Sequence, residues 1–295
     1  MHRAFPLIVF TTASGAGFGL LALAGVLALG GAIPAVGLVL VAGGLLAARR
    51  HLGRPVGLLR ALTRTRTSWL SREALAAVAC AVVAPGFAAV PQDALVGRVL
   101  GLTMAVLAIG AVACTAMIYA SLRPVPQWHT GLVPASFLLI AGMTGALLLV
   151  LLTGGFVAVA VAAILPAGAV KLAYWRRLDE LSASGDSIAA AGLHRIGQVR
   201  LLDPPLAVMG SALSEMGGGV SRARMLRRVA GALLFALPLG LSLLELLAGF
   251  SAVLAVAAVL AAGAGVLLER WLFFAEAGHI AGAWFDAGRR ADKHA

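Results

Sequence analysis

Phe5–Gly31, FPLIVFTTASGAGFGLLALAGVLALGG, carries no charged side chain along its whole length. The apolar core of a secretory signal spans only ~7–15 residues, so this longer run reads as a first membrane helix that is kept. Continuous apolar runs of about 20 residues also favour helices over barrel strands, whose residues alternate. Composition agrees: 61% of the chain belongs to the AVILMFWYC set and 12% is charged. No water-soluble fold could hide that much apolar surface.

Outward from this run the pattern recurs. It predicts an all-α polytopic membrane protein, one domain over residues 1–295 built as a bundle of eight transmembrane helices. The spans fall at about 5–30, 33–48, 73–90, 97–120, 131–153, 154–175, 229–248 and 251–274, with a long polar loop over 176–228. The joints at 153/154 and 249/250 leave hardly any connector. With eight spans, both termini and connectors 2–3, 4–5 and 6–7 share one side, and that side holds nearly all the Lys and Arg. Opposite them the only clear basic residue is Arg98. By the positive-inside rule the basic side is cytoplasmic. The net charge of +11 is therefore read as topology, and no nucleic acid partner is expected.

Several motifs reduce to packing. Ser14-Gly-Ala-Gly-Phe-Gly19 imitates a dinucleotide fingerprint, but no strand precedes it and it lies inside a span. Gly15 and Gly19, like Gly97 and Gly101, have the spacing that lets helices approach closely. Cys80 and Cys114 sit in apolar spans and are too few for a zinc or iron–sulfur site. A transmembrane haem needs facing histidines within the helices. Here His2, His129, His194 and His294 fall in loops or tails, and His51 and His279 at span ends. No haem, iron–sulfur cluster or metal site is expected in this chain.

The polar connector Arg49–Glu73, RRHLGRPVGLLRALTRTRTSWLSRE, is where chemistry is expected. His51 lies just beyond the hydrocarbon edge. Glu73 is expected to open the third span, behind Ser68 and Ser71, either of which could cap that helix. The helix dipole there favours the ionised carboxyl and burial the neutral one, a balance suited to proton transfer. The residues alone leave a second reading open, in which His51 and Glu73 only anchor helix ends. Lys171 is expected to snorkel to the cytoplasmic face and Glu245 to mark the far interface. Pro166 and Pro238 give a faint hint of the interrupted helices of a solute transporter.

His51-Leu-Gly-Arg-Pro55, with Arg66-Thr-Ser-Trp-Leu-Ser-Arg-Glu73, resembles the signature of the membrane anchor subunits of dimethyl sulfoxide reductase and their relatives, including the sulfite dehydrogenase anchor. Leu268-Glu-Arg-Trp-Leu-Phe-Phe-Ala-Glu-Ala277 resembles the family's carboxy-terminal end. The resemblance implies an eight-helix subunit of the bacterial cytoplasmic membrane with both termini inside. It implies no prosthetic group of its own, an iron–sulfur partner subunit, a molybdopterin catalytic subunit, and exchange of electrons with menaquinone or ubiquinone. His51 and Glu73 fall on the family's quinone-site histidine and glutamate, with Gly53 and Pro55 as shape-setting positions. The expected quinone site adds Arg54 and Trp69, supported by Arg66, Ser68, Arg72 and His279. Gly57 stands where the family's enterobacterial members carry a basic residue, so that role is kept here only if Arg54 or Arg60 replaces it.

Overall fold

The computed structural model describes residues 5–52, 65–183 and 220–277, with side chains throughout except at 49–52, 182–183 and 220–221. The described residues form an all-helical, polytopic membrane bundle. In chain order the helices are α1 (Phe5–Val26), α2 (Ala32–Leu52), α3 (Trp69–Ala89), α4 (Leu95–Ala120), α5 (Leu132–Thr153) and α6 (Val157–Ala183). Helix α7 comprises Val220–Gly231, a wider π turn at Ala232–Ala236, and Leu237–Ala248; α8 is Ala252–Ala275. Seven of the eight are long and apolar enough to cross a membrane, while the apolar part of α2, Ala32–Ala48, is shorter.

Hydropathy marks only the apolar part of each helix. At the basic end the helices run on past it: α3 starts at Trp69, α6 continues to Ala183 and α7 begins at Val220. The π turn has a local cause. Pro238 has no N–H, and its ring would collide with the carbonyl four residues earlier in a regular helix. The chain widens by one residue instead, and Leu237 N–H donates to Ala232 O.

The tight joints use backbone conformations that favour glycine. Gly154 (φ +68°) closes α5 by donating to Val150 O, and Gly249 (φ +95°) closes α7 by donating to Glu245 O. Phe250 lies against Gly154, and Gln92 against Gly30, so the turns α1–α2, α3–α4, α5–α6 and α7–α8 meet in pairs at one end. The other end carries the described arginines other than Arg98. There Trp128, in the α4–α5 connection, donates its indole N–H to Phe273 O near the end of α8 (3.1 Å).

Close approach of backbones holds the centre. Gly19 of α1 meets Ala141 and Gly145 of α5, Gly25 meets Gly101 of α4, and Gly265 of α8 meets Leu234 of α7, with no space for a Cβ at any of them. Two expected packing glycines behave differently. Gly15 faces open space, and Gly97 packs on the Pro91–Gln92 turn, not on another helix. At the basic end Tyr119, Trp128, Phe137, Tyr174, Phe273 and Phe274 form a continuous aromatic cluster. Trp128 stacks on Phe273 at 5.3 Å, and Tyr119 meets both Phe273 and Phe274 edge-on. Such ring pairs add about 0.5–1.5 kcal/mol each beyond area burial.

Candidate functional site

Helix α3 begins as the sequence suggests: Ser68 is the N-cap, its hydroxyl oxygen accepting from Ser71 N–H. Glu73 does not open the helix but sits one turn inside it. With Ala77, Cys80, Ala84 and Phe87 it lies on the buried face, and only 3% of it is exposed. Thr115 of α4 donates its hydroxyl to Glu73 Oε1 at 2.6 Å. Glu73 is four residues from the start of α3 and Thr115 five from the end of α4. Both therefore lie ~6–8 Å below the basic end of their helices. Glu73 Oε2 is buried with no hydrogen-bond partner among the described residues.

This arrangement suits either protonation state. Thr115 Oγ1 also lies 3.0 Å from Ala111 O. Facing a carboxylate, the hydroxyl donates to Glu73. Facing a protonated carboxyl, it can accept from Glu73 and turn its own hydrogen to Ala111. A proton can thus be gained or lost at Glu73 while Oε1 keeps a partner.

Trp69 lies one helical turn nearer the basic end on the same side of α3, half-buried. The Arg72 guanidinium covers one face of its ring, 4.3 Å from the centroid. The expected role of Trp69 in holding a ring is thereby restricted to its other face. Arg72 also donates to Thr65 O (2.7 Å) and Arg66 O (2.9 Å), fixing where the connector joins α3. Arg66 itself is exposed. His51 is in the last turn of α2, and its side chain lies outside the described ones. Gly53, Arg54, Pro55 and His279 fall outside the described residues.

Two features leave no clear mark in the sequence. The first is a buried charge cluster. Lys171 of α6 does not snorkel: it is 2% exposed and forms an ion pair with Glu269 of α8. The reason is the length of α6, which runs three turns past Lys171 and removes it from the interface. Arg270 completes the cluster, its Nε 3.3 Å from the second Glu269 oxygen and its guanidinium 3.5 Å over the Phe137 ring. Its neighbour is an ion-paired triad in which Arg227 of α7 bridges Asp179 (2.8 Å) and Glu276 (2.9 Å). Burial pushes the Glu276 carboxyl above its ordinary range, opposed by the hydrogen bond and charge of Arg227. The second feature is a crevice of ≈10 Å³ lined by Thr11, Thr12, Ser14, Thr115, Thr144 and Arg270, room for about one water molecule. Glu245, by contrast, does close the far end, accepting from Ser251 N–H at 3.4 Å ahead of α8.

Ionisable groups gather inside the basic end of this helical membrane bundle. Residues 1–170 match the family described as DMSO reductase anchor subunit (DmsC), and the chain belongs to that family of membrane anchors of molybdoenzyme complexes. A curated relative is similar over nearly the full length. It is one of the subunits of the sulfite dehydrogenase of Allochromatium vinosum, 34% identical over 321 aligned positions covering 95% of this chain and 97% of the relative.

Proposed function

We propose that this chain is the quinone-reactive anchor of a sulfite dehydrogenase-type molybdopterin oxidoreductase. It would pass electrons between a membrane quinone and a partner iron–sulfur subunit. The buried Glu73 carboxyl supports this reading best. One of its oxygens is held by a hydroxyl that tolerates both protonation states, and the other has no partner among the described residues. Two-electron quinone chemistry moves two protons, so a quinone site needs such a group within reach of the ring oxygens.

In this reading the basic end faces the cytoplasm of a bacterial cytoplasmic membrane, with both termini inside. The quinone head group enters beside the connector, between the ends of α2 and α3. His51 and Glu73 exchange protons with its two oxygens, and the free face of Trp69 lines the ring. The partner iron–sulfur subunit docks on the basic end, where charge complementarity favours a less basic surface, and the molybdopterin subunit docks behind it. Electrons pass directly between quinone and the partner's cluster. The kinship with a sulfite dehydrogenase favours flow toward quinone.

The test is quinone-linked turnover of the assembled complex carrying Glu73→Gln or His51→Ala. Retained assembly with lost turnover supports the site. Unchanged turnover would leave a purely structural anchor.

A further inference from the structure

Helices α6 and α7 part at the basic end and leave a groove of about 760 Å³ between them. Its floor is apolar: Ile164, Leu165 and Leu172 from α6, Phe235 and Leu239 from α7. Gly168 and Gly231 keep the floor low, since Phe235 packs over the first and Trp175 over the second. The mouth is cationic, with Arg176, Arg224, Arg227 and Arg228 set against the single carboxylate of Asp179. Arg227 is committed to Asp179 and Glu276. Arg176, Arg224 and Arg228 are exposed and make no hydrogen bond or ion pair among the described residues.

The dimensions match one membrane leaflet. Arg176 to Ile164 is twelve residues along α6, and Arg228 to Leu239 is eleven along α7. At ~1.5 Å per residue the groove descends ~16–18 Å, against ~15 Å for half of a bilayer's hydrocarbon core. An apolar channel one leaflet deep, crowned by uncommitted arginines at headgroup level, is complementary to a lipid with a negatively charged head group. A zwitterionic lipid would fill the floor but leave the crown uncompensated, and a soluble anion would leave the floor open.

We propose that this groove is a binding site for an anionic phospholipid of the leaflet at the basic end. Its acyl chain lies between α6 and α7, and its phosphate is held by Arg224 and Arg228 with Arg176 alongside. The lipid bridges two helices that Arg227 also joins there, through Asp179. The site is independent of the quinone reading, because no residue of the groove belongs to the connector or to α3.

Native mass spectrometry of the purified, assembled complex after exchange into phosphatidylcholine nanodiscs containing phosphatidylglycerol tests this. The wild type should retain a phosphatidylglycerol molecule that phosphatidylcholine does not displace. Each basic side chain near a lipid surface contributes about a fivefold preference, so Arg224→Gln with Arg228→Gln should lower retention roughly 25-fold. Ala169→Phe, which fills the groove and keeps every arginine, should lower it as well. Equal retention in wild type and both variants, or no preference over phosphatidylcholine, overturns the proposal. So does a cryo-electron microscopy map of the complex in these nanodiscs that shows a protein segment, not a lipid, in the groove.

Discussion

Glu73 and Glu269 are both almost completely buried in the same half of the bundle, yet their surroundings are opposite. Glu269 lies between two cations, Lys171 on the neighbouring α6 and Arg270 beside it on α8. Glu73 has no ion-pair partner among the described residues; it meets one hydroxyl and keeps one oxygen bare. A carboxylate fixed between cations holds helices together, and protonating it would leave two like charges facing each other. A carboxyl opposite a hydroxyl can change state without stranding a charge. The contrast separates an acid locked into ion pairs from one that can change protonation state, as the proposed quinone site requires, within one membrane layer.

Removing the structural acid should produce the largest effect. Glu269→Ala leaves Lys171 and Arg270 uncompensated, and breaking a buried pair from one side costs about 3–5 kcal/mol. The expected outcome is loss of the assembled subunit from the membrane fraction. Lys171→Met, which leaves Glu269 and Arg270 as a neutral pair, should be milder. If Glu269→Ala assembled normally, the distinction would fail.

Glu73→Gln should behave in the reverse sense. It keeps shape and volume, so the thermal midpoint of the complex should barely move while quinone-linked turnover falls by about 10²-fold or more. Thr115→Val sharpens the point by removing the one donor to Glu73 among the described residues, an uncompensated loss of about 1–3 kcal/mol. Thr115→Ser should restore both assembly and turnover, and a failure of that rescue would count against the hydroxyl as the relevant group.

The smallest effect concerns Glu276, which sits past the end of α8. Burial holds its carboxyl above the ordinary value of 4.5, despite Arg227. A folded-state value above the unfolded one means that the folded form binds the proton more tightly. Its contribution to stability is fully present below pH 4.5 and is lost as pH rises through the elevated value. Melting of the complex across that range should show a shallow decline that Glu276→Gln flattens.

Much of the fold was legible because hydropathy reports membrane depth directly. The eight helices, the tight joints near 153/154 and 249/250 and a serine cap on α3, for which Ser68 and Ser71 are both candidates, follow from local sequence. Helix length past the hydrocarbon edge did not, because polar residues such as those of Arg176–Ala183 extend a helix without an apolar signal. That is why Lys171 reads as interfacial in the sequence and is interior in the structure. The partnership of Glu73 with Thr115 left a usable trace: both sit at matched distances from the same end, and Thr115 is a hydroxyl in an otherwise apolar stretch. The union of Lys171 with Glu269 left less. It depends on α6 and α8 meeting in space, which no single-helix pattern encodes. Gly15 shows the same limit, since its spacing to Gly19 suits close packing but the neighbour that would use it is elsewhere.

The widened turn at Ala232–Ala236 sets the angular phase of everything before it in α7. Each residue of a regular helix advances the side-chain direction by ~100°, so the one additional residue swings the Val220–Gly231 segment by about that much relative to Leu237–Ala248. Eighteen residues, five full turns of a regular helix, separate Arg227 from Glu245, so the swing offsets the face on which Arg227 meets Asp179 and Glu276 from the face that carries Ser242 and Glu245. Rewinding the turn to a regular helix would bring Arg227 and Glu245 into line and turn the arginine by ~100° away from the direction in which it meets Asp179 and Glu276.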